Sequence, residues 1–88
     1  MVYYKRKWDE LRGDEQDHWG TSIWYFEVGD DDYPTRQIEV YEHGPKLKYD
    51  VINLEDSYGG LSEVALDKDE FKDHLITKEQ FESVWTDK

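Results

Sequence analysis

Val2, Tyr4 and Trp8 alternate with Tyr3, Lys5 and Lys7 at the start of the chain, the period of two that marks a half-buried strand. Residues 21–28 carry Ile23, Trp24, Tyr25, Phe26 and Val28, so apolar side chains fall on both faces at once. That pattern predicts a central strand covered on both sides. Gly29 to Pro34 consists of turn formers, and Pro34 is ill suited to the interior of a ladder, so a hairpin follows. In the next run, 35–42, Ile38 and Val40 share one face while Gln37, Glu39 and Tyr41 share the other. His43-Gly44-Pro45 then turns into a fourth strand, 46–51, whose core face takes Leu47, Tyr49 and Val51.

Two stretches break this alternation. Residues 9–20 are polar and read as a long acidic loop, a length that is uncommon in small domains and often functional. Residues 52–66 loosen around Gly59-Gly60, with a short edge strand expected over Ser62 to Ala65. The tail repeats one device ten residues apart. Leu66-Asp67-Lys68-Asp69-Glu70-Phe71 and Ile76-Thr77-Lys78-Glu79-Gln80-Phe81 each set a capping residue before a Glu or Gln three positions on, and an apolar residue before the cap to staple a Phe. The first start makes about one turn before His74. The second continues through Phe81, Val84 and Trp85 as a short amphipathic helix. The expected fold is α+β: an antiparallel sheet of about four strands packed by a short C-terminal helix.

Length makes this a single domain over residues 1–88, since so short a chain cannot divide its apolar residues between two cores. A net charge of −11 would by itself suggest disorder. Four Trp, seven Tyr and three Phe oppose that, because each buried ring removes about 150–250 Å² from water. Trp8, Trp24, Tyr25, Phe26, Phe81 and Trp85 are therefore expected in the core. The same charge disfavours nucleic-acid phosphates and anionic lipid, and no run approaches the ~20 apolar residues of a membrane span. Lys5, Arg6 and Lys7 are not followed by an apolar stretch of signal-peptide type, which makes the cytoplasm the expected location.

Candidate chemistry is sparse. Without cysteine there is no disulfide, no thiol nucleophile and no Cys-based zinc site. His18, His43 and His74 lack the spacing that sets two imidazoles on one helix face, and Asp30-Asp31-Asp32 lacks the alternation of a calcium loop, so no metal or cofactor is expected. Ser22, Ser57, Ser62 and Ser83 sit in no nucleophile elbow, and no G-K-[ST] follows Gly59-Gly60, so no enzyme activity is expected either. What stands out is the placement of acids. Residues 9–17 carry a net −4, residues 27–32 a net −4 and residues 55–73 a net −5, against +3 in residues 1–8. Acidic loops on a rigid sheet suit a basic protein partner. On that basis the partner contacts are Asp14, Glu15, Asp17 and Trp19 in the first loop, Asp30, Asp31 and Asp32 at the hairpin tip, and Glu55 and Asp56 in the later loop. A different class of function is a small-ligand or peptide pocket on the sheet, with Tyr41, Tyr49 and Tyr58 around Arg36, unless Arg36 is the buried mate of a Glu.

The run Trp19-Gly20-Thr21-Ser22 with Trp24-Tyr25-Phe26-Glu27-Val28, then Arg36-Gln37-Ile38-Glu39-Val40-Tyr41-Glu42, Lys48-Tyr49-Asp50 and Tyr58-Gly59-Gly60-Leu61-Ser62, resembles a family of short acidic bacterial domains of unknown function. The likeness spans most of the chain and ends in the Phe81 to Trp85 helix. Members look like stand-alone proteins encoded among the immunity genes of polymorphic-toxin and contact-dependent-inhibition systems. Together with the small size, the lack of a catalytic constellation and the acidic loops, the resemblance makes an immunity protein that neutralises a cognate toxin domain the expected function, and the acidic loops suit a nuclease with a cationic substrate cleft. The resemblance assigns no site, so no residue inherits a role from it.

Overall fold

The computed structural model describes residues 1–87. Its centre is a five-stranded antiparallel sheet built from β1 (Val2–Trp8), β2 (Ser22–Val28), β3 (Pro34–Tyr41), β4 (Lys46–Asp50) and β7 (Leu75–Ile76), in the order β4-β3-β2-β1-β7. A small hairpin of β5 (Glu55–Asp56) and β6 (Gly59–Gly60) stands apart from it. Two helices complete the chain, α1 (Lys68–Phe71) and α2 (Lys78–Thr86). The α+β reading therefore holds, with β2 in the middle of the sheet as its two apolar faces predict. Pro34 opens β3 opposite Val28, at a register shift and at the strand end, where a missing N–H is tolerated.

Register decides which side chains share a face. Tyr3, Tyr25 and Ile38 lie on the side covered by α2, around the fully buried Phe81, with Ile76, Val84 and Trp85 against them. Tyr4, Phe26 and Val28 lie on the opposite side, where Phe71 of α1 packs. Further along that second side, Tyr41, Leu47 and Tyr49 are covered by Trp19 and Leu61, so two loops do the work a second helix would do. Both helix starts form as expected. Asp67 accepts from the N–H groups of Asp69 and Glu70, and Thr77 makes a reciprocal capping box with Gln80. At the far end of α2, Lys46 donates to the Val84 carbonyl and Lys48 to those of Trp85 and Asp87, so cations from β4 close the helix C-terminus.

Four expectations need correction. Val51 is not on the core face but 67% exposed, because the Asp50 carboxylate accepts from the N–H groups of Ile52 and Asn53 and turns the chain off the sheet after Asp50. Trp8 is 44% exposed at the end of β1 instead of buried. Tyr3 is core, because α2 covers the side of β1 that also carries Lys5 and Lys7. The edge strand over 62–65 is absent; pairing forms instead at β5–β6, and the unforeseen edge strand is β7, set against Tyr3 and Tyr4.

Candidate functional site

The loop that follows β1 is organised by one side chain. Arg12 reaches back over the sheet, donating to Asp14 at 3.0 Å, to the Tyr41 hydroxyl at 2.8 Å and to the Tyr58 carbonyl, with its guanidinium 5.4 Å from the Trp19 ring and 5.5 Å from the Tyr41 ring. It thereby ties residues 9–20 and residues 52–60 to the same strand. Beneath it Glu39 is 3% exposed, one oxygen accepting from Tyr41 at 2.5 Å and the other from Gln37 at 2.9 Å. Burial raises the Glu39 carboxyl above its ordinary range, and burial together with the bond to Glu39 pushes the Tyr41 hydroxyl up to about 12. Gln37 completes the lock by donating to the Gly60 carbonyl and accepting from the Ser62 N–H. Among the described residues no buried side-chain N or O lacks a partner. A carboxylate with a raised pKa is a common mark of catalysis. Here it is a strut, sealed by the loops it holds.

Arg36 does not gather Tyr41, Tyr49 and Tyr58 around it. Its strand partners are Glu27 and Asp50, which puts it on the α2 side, whereas Tyr41 and Tyr49 face the loops on the other. The guanidinium bonds to Glu27 and Glu82 and lies 4.8 Å from the Phe81 ring and 5.0 Å from the Trp85 ring. That bond holds the Glu27 carboxyl below its ordinary value against the opposing effect of burial. Of the two roles the sequence leaves open, Arg36 takes that of an ion-pair mate.

The nine residues expected at a partner surface separate into groups. Trp19 is buried under Gly44 and Tyr41 and offers no ring to a partner. Asp14 pairs with Arg12 and accepts from the Gln16 N–H, the contact that does most to lower its pKa. Asp17 caps the N–H groups of Gly13 and Asp14, while Asp56 accepts from the Tyr49 hydroxyl and from two backbone N–H groups of its own turn. Asp31 closes the hairpin onto the Tyr33 N–H, and Asp32, at a φ of 67°, sits 3.5 Å from Lys68. Glu15, Asp30 and Glu55 are exposed and make no side-chain bond or ion pair among the described residues. Nor are all nine on one surface. The 29–33 turn and the 9–20 loop lie at opposite ends of β2, whose seven residues span roughly 20 Å at ~3.3 Å each.

A feature that sequence reading missed lies beside the first loop. A groove of about 380 Å³ opens on the sheet, walled by Trp8, Leu11, Trp24, Phe26 and Phe71. Arg6, Glu10 and Arg12 complete its lining. Trp8 and Leu11 are 44% and 54% exposed, large apolar groups left open to water. The Arg6 guanidinium lies between the Trp8 and Phe71 rings and pairs with Glu70 at 2.7 Å. The alternation in β1 and β2 does place Trp8 and Trp24 on one face. It cannot say that α1 stops short of covering them.

Among the described residues no group of three or more His, Asp or Glu side chains is arranged to hold a metal ion, and no helix is long and apolar enough to cross a membrane. Comparison with family models, with curated proteins and with solved structures gives no match for this chain.

Proposed function

We propose that the chain is a small acidic binding protein that acts as an inhibitor, covering a cationic surface on a protein partner. The observation that carries this reading is how the charges are used. All three arginines, with Lys46 and Lys48, are tied into the fold by hydrogen bonds to carboxylates, carbonyls or a hydroxyl. Asp9, Glu10, Glu15, Asp30 and Glu55 are exposed and carry no ion pair among the described residues. A surface of that kind draws a basic partner at long range and fixes its orientation on arrival. The loops bearing Glu15 and Glu55 are held to one strand through Arg12 and Gln37, which keeps them ordered before contact and lowers the entropy lost on binding.

The finer part of the proposal draws on the family resemblance: the partner is a toxin domain, a nuclease whose cleft is cationic because it takes phosphates, and the protein neutralises it in the cytoplasm. Co-expression with the product of the adjoining upstream gene tests this. Restored growth and a co-purifying complex that weakens steeply with salt are expected, and Glu15→Lys with Glu55→Lys should cost about tenfold or more in affinity. No complex and no rescue would remove the idea. A complex indifferent to salt and to both reversals would refute its electrostatic basis.

A further inference from the structure

We propose that the groove at Trp8 and Leu11 takes one aliphatic or aromatic side chain of the protein partner, presented within a segment that carries lysine or arginine beside it. The proposal rests on the inhibitor reading above and adds its anchor. The volume of about 380 Å³ lies within the range of sites that enclose a ligand group, and its walls are aromatic and aliphatic. Its two guanidinium groups do not call for an anion. Arg6 is matched by Glu70, and Arg12 is committed to Asp14, Tyr41 and Tyr58. The charge left over at the groove is negative, because Glu10 in its lining is exposed and unpaired among the described residues, with the exposed Asp9 next to it in the chain. An apolar floor with free carboxylates beside it selects an apolar anchor flanked by cations. Desolvated anchors of this type carry most of the energy in a protein interface, while the charged rim sets rate and orientation.

The four tryptophans supply the readout. Trp8 and Trp24 line the groove, with the Trp24 indole N–H held by the Ser22 hydroxyl at 2.8 Å, whereas Trp85 lies on the other side of the sheet. The full chain, labelled with ¹⁵N, would be titrated with the peptide Lys-Lys-Phe-Lys-Lys. Lys-Lys-Ala-Lys-Lys and Glu-Glu-Phe-Glu-Glu serve as controls. The Trp8 and Trp24 indole signals should move, that of Trp85 should stay, and both controls should bind about tenfold more weakly or worse. Leu11→Asp should reduce binding by a similar factor without lowering the unfolding midpoint, since Leu11 is exposed in a loop. Equal shifts with the alanine peptide, or shifts centred on Trp85, overturn the proposal. So do Trp8 and Trp24 signals that move with protein concentration alone, which would give the groove to a second copy of the chain. If the groove idea alone fails, the salt dependence and the Glu15 and Glu55 reversals still act on the toxin complex. If those fail while the phenylalanine peptide binds, the inhibitor reading falls and the groove stands.

Discussion

Substituting methionine for Arg36 removes the cation between Glu27 and Glu82 while keeping an unbranched stem against Phe81 and Trp85. The consequence falls on Glu27, which is 8% exposed and is left with the Thr35 hydroxyl donating at 2.7 Å and a bond from the Tyr3 hydroxyl. Breaking a buried ion pair from one side costs about 3–5 kcal/mol. The Arg36 and Glu82 side chains are 19% and 34% exposed, so solvent screening and the surviving Thr35 bond bring the expected cost down to about 2–4 kcal/mol. Domains of this size unfold with about 5 kcal/mol or somewhat more, which leaves the variant with a measurable transition.

The pH dependence makes the prediction specific. In the parent, the Arg36 bond lowers the Glu27 pKa, so its stabilisation is present above the ordinary value of 4.5 and is lost as pH falls through the lower folded value. In Arg36→Met the largest influence lowering the Glu27 pKa is gone, and burial is opposed only by the Thr35 and Tyr3 bonds, so the folded pKa rises from its parent value. The variant therefore loses the stabilisation that the parent holds above 4.5, and the two proteins converge as pH falls and Glu27 is protonated in both. Urea unfolding of both proteins should give a difference that is greatest near pH 7 and shrinks toward pH 3, because a neutral Glu27 no longer needs its cation. Glu27→Gln in the Arg36→Met background should recover much of the loss at pH 7. A difference below about 1 kcal/mol at pH 7, or one constant from pH 7 to pH 3, would refute the reasoning.

Other substitutions probe the loop side of the sheet. A Cβ at Gly44 would stand 2.5 Å from Cγ of Trp19, so Gly44→Ala must displace that ring; a loss of about 1–3 kcal/mol and a weakened near-ultraviolet Trp dichroism are expected, and unchanged spectra would refute the contact. Glu39→Gln removes a buried charge but sets a second amide against the Gln37 amide, which cannot turn over because its oxygen accepts from Ser62 and its nitrogen donates to Gly60. Since burial raises the Glu39 pKa, the parent loses stability as pH rises through the window above 4.5; the variant should gain relative to it from pH 4 to pH 7, and a pH-independent difference in unfolding free energy would count against this.

The parts of the fold legible in the sequence are those set by neighbours along the chain. Alternation fixes the four long strands, and the caps of α1 and α2 are bonds between residues two or three positions apart. What escaped depends on distant partners. Leu75–Ile76 is a strand only because β1 lies beside it, and two residues carry no period of their own. Val51 continues the alternation of β4 faultlessly, yet the Asp50 carboxylate redirects the backbone one residue earlier. Gln37 and Glu39 give no apolar signal of burial in the sequence, since only the folded chain brings Arg12, Gly60 and Ser62 over them. Aromatic Tyr41 and Tyr49, alternating on that same face, were the signal that it is covered. The free acids, by contrast, were visible as loop residues, although their division between two ends of β2 was not.

Covering that second face without a second helix has an electrostatic consequence. Loops buried against a sheet leave backbone carbonyls, hydroxyls and turn carboxylates in need of donors, and long cationic side chains supply them: Arg12 serves Tyr58 and Tyr41, as Lys48 serves the end of α2 on the other side. Each cation drawn in this way is removed from the outer surface. The acids that cap turns, Asp17, Asp50 and Asp56, meet only neutral donors there and keep their full charge. The turn acids therefore stay on the exterior with their charge unneutralised. The small two-sided core and the arrangement of exposed acids on which the proposed inhibitor reading rests thus depend on one set of side chains, and loosening Arg12 should weaken the fold and, under that proposal, the binding together.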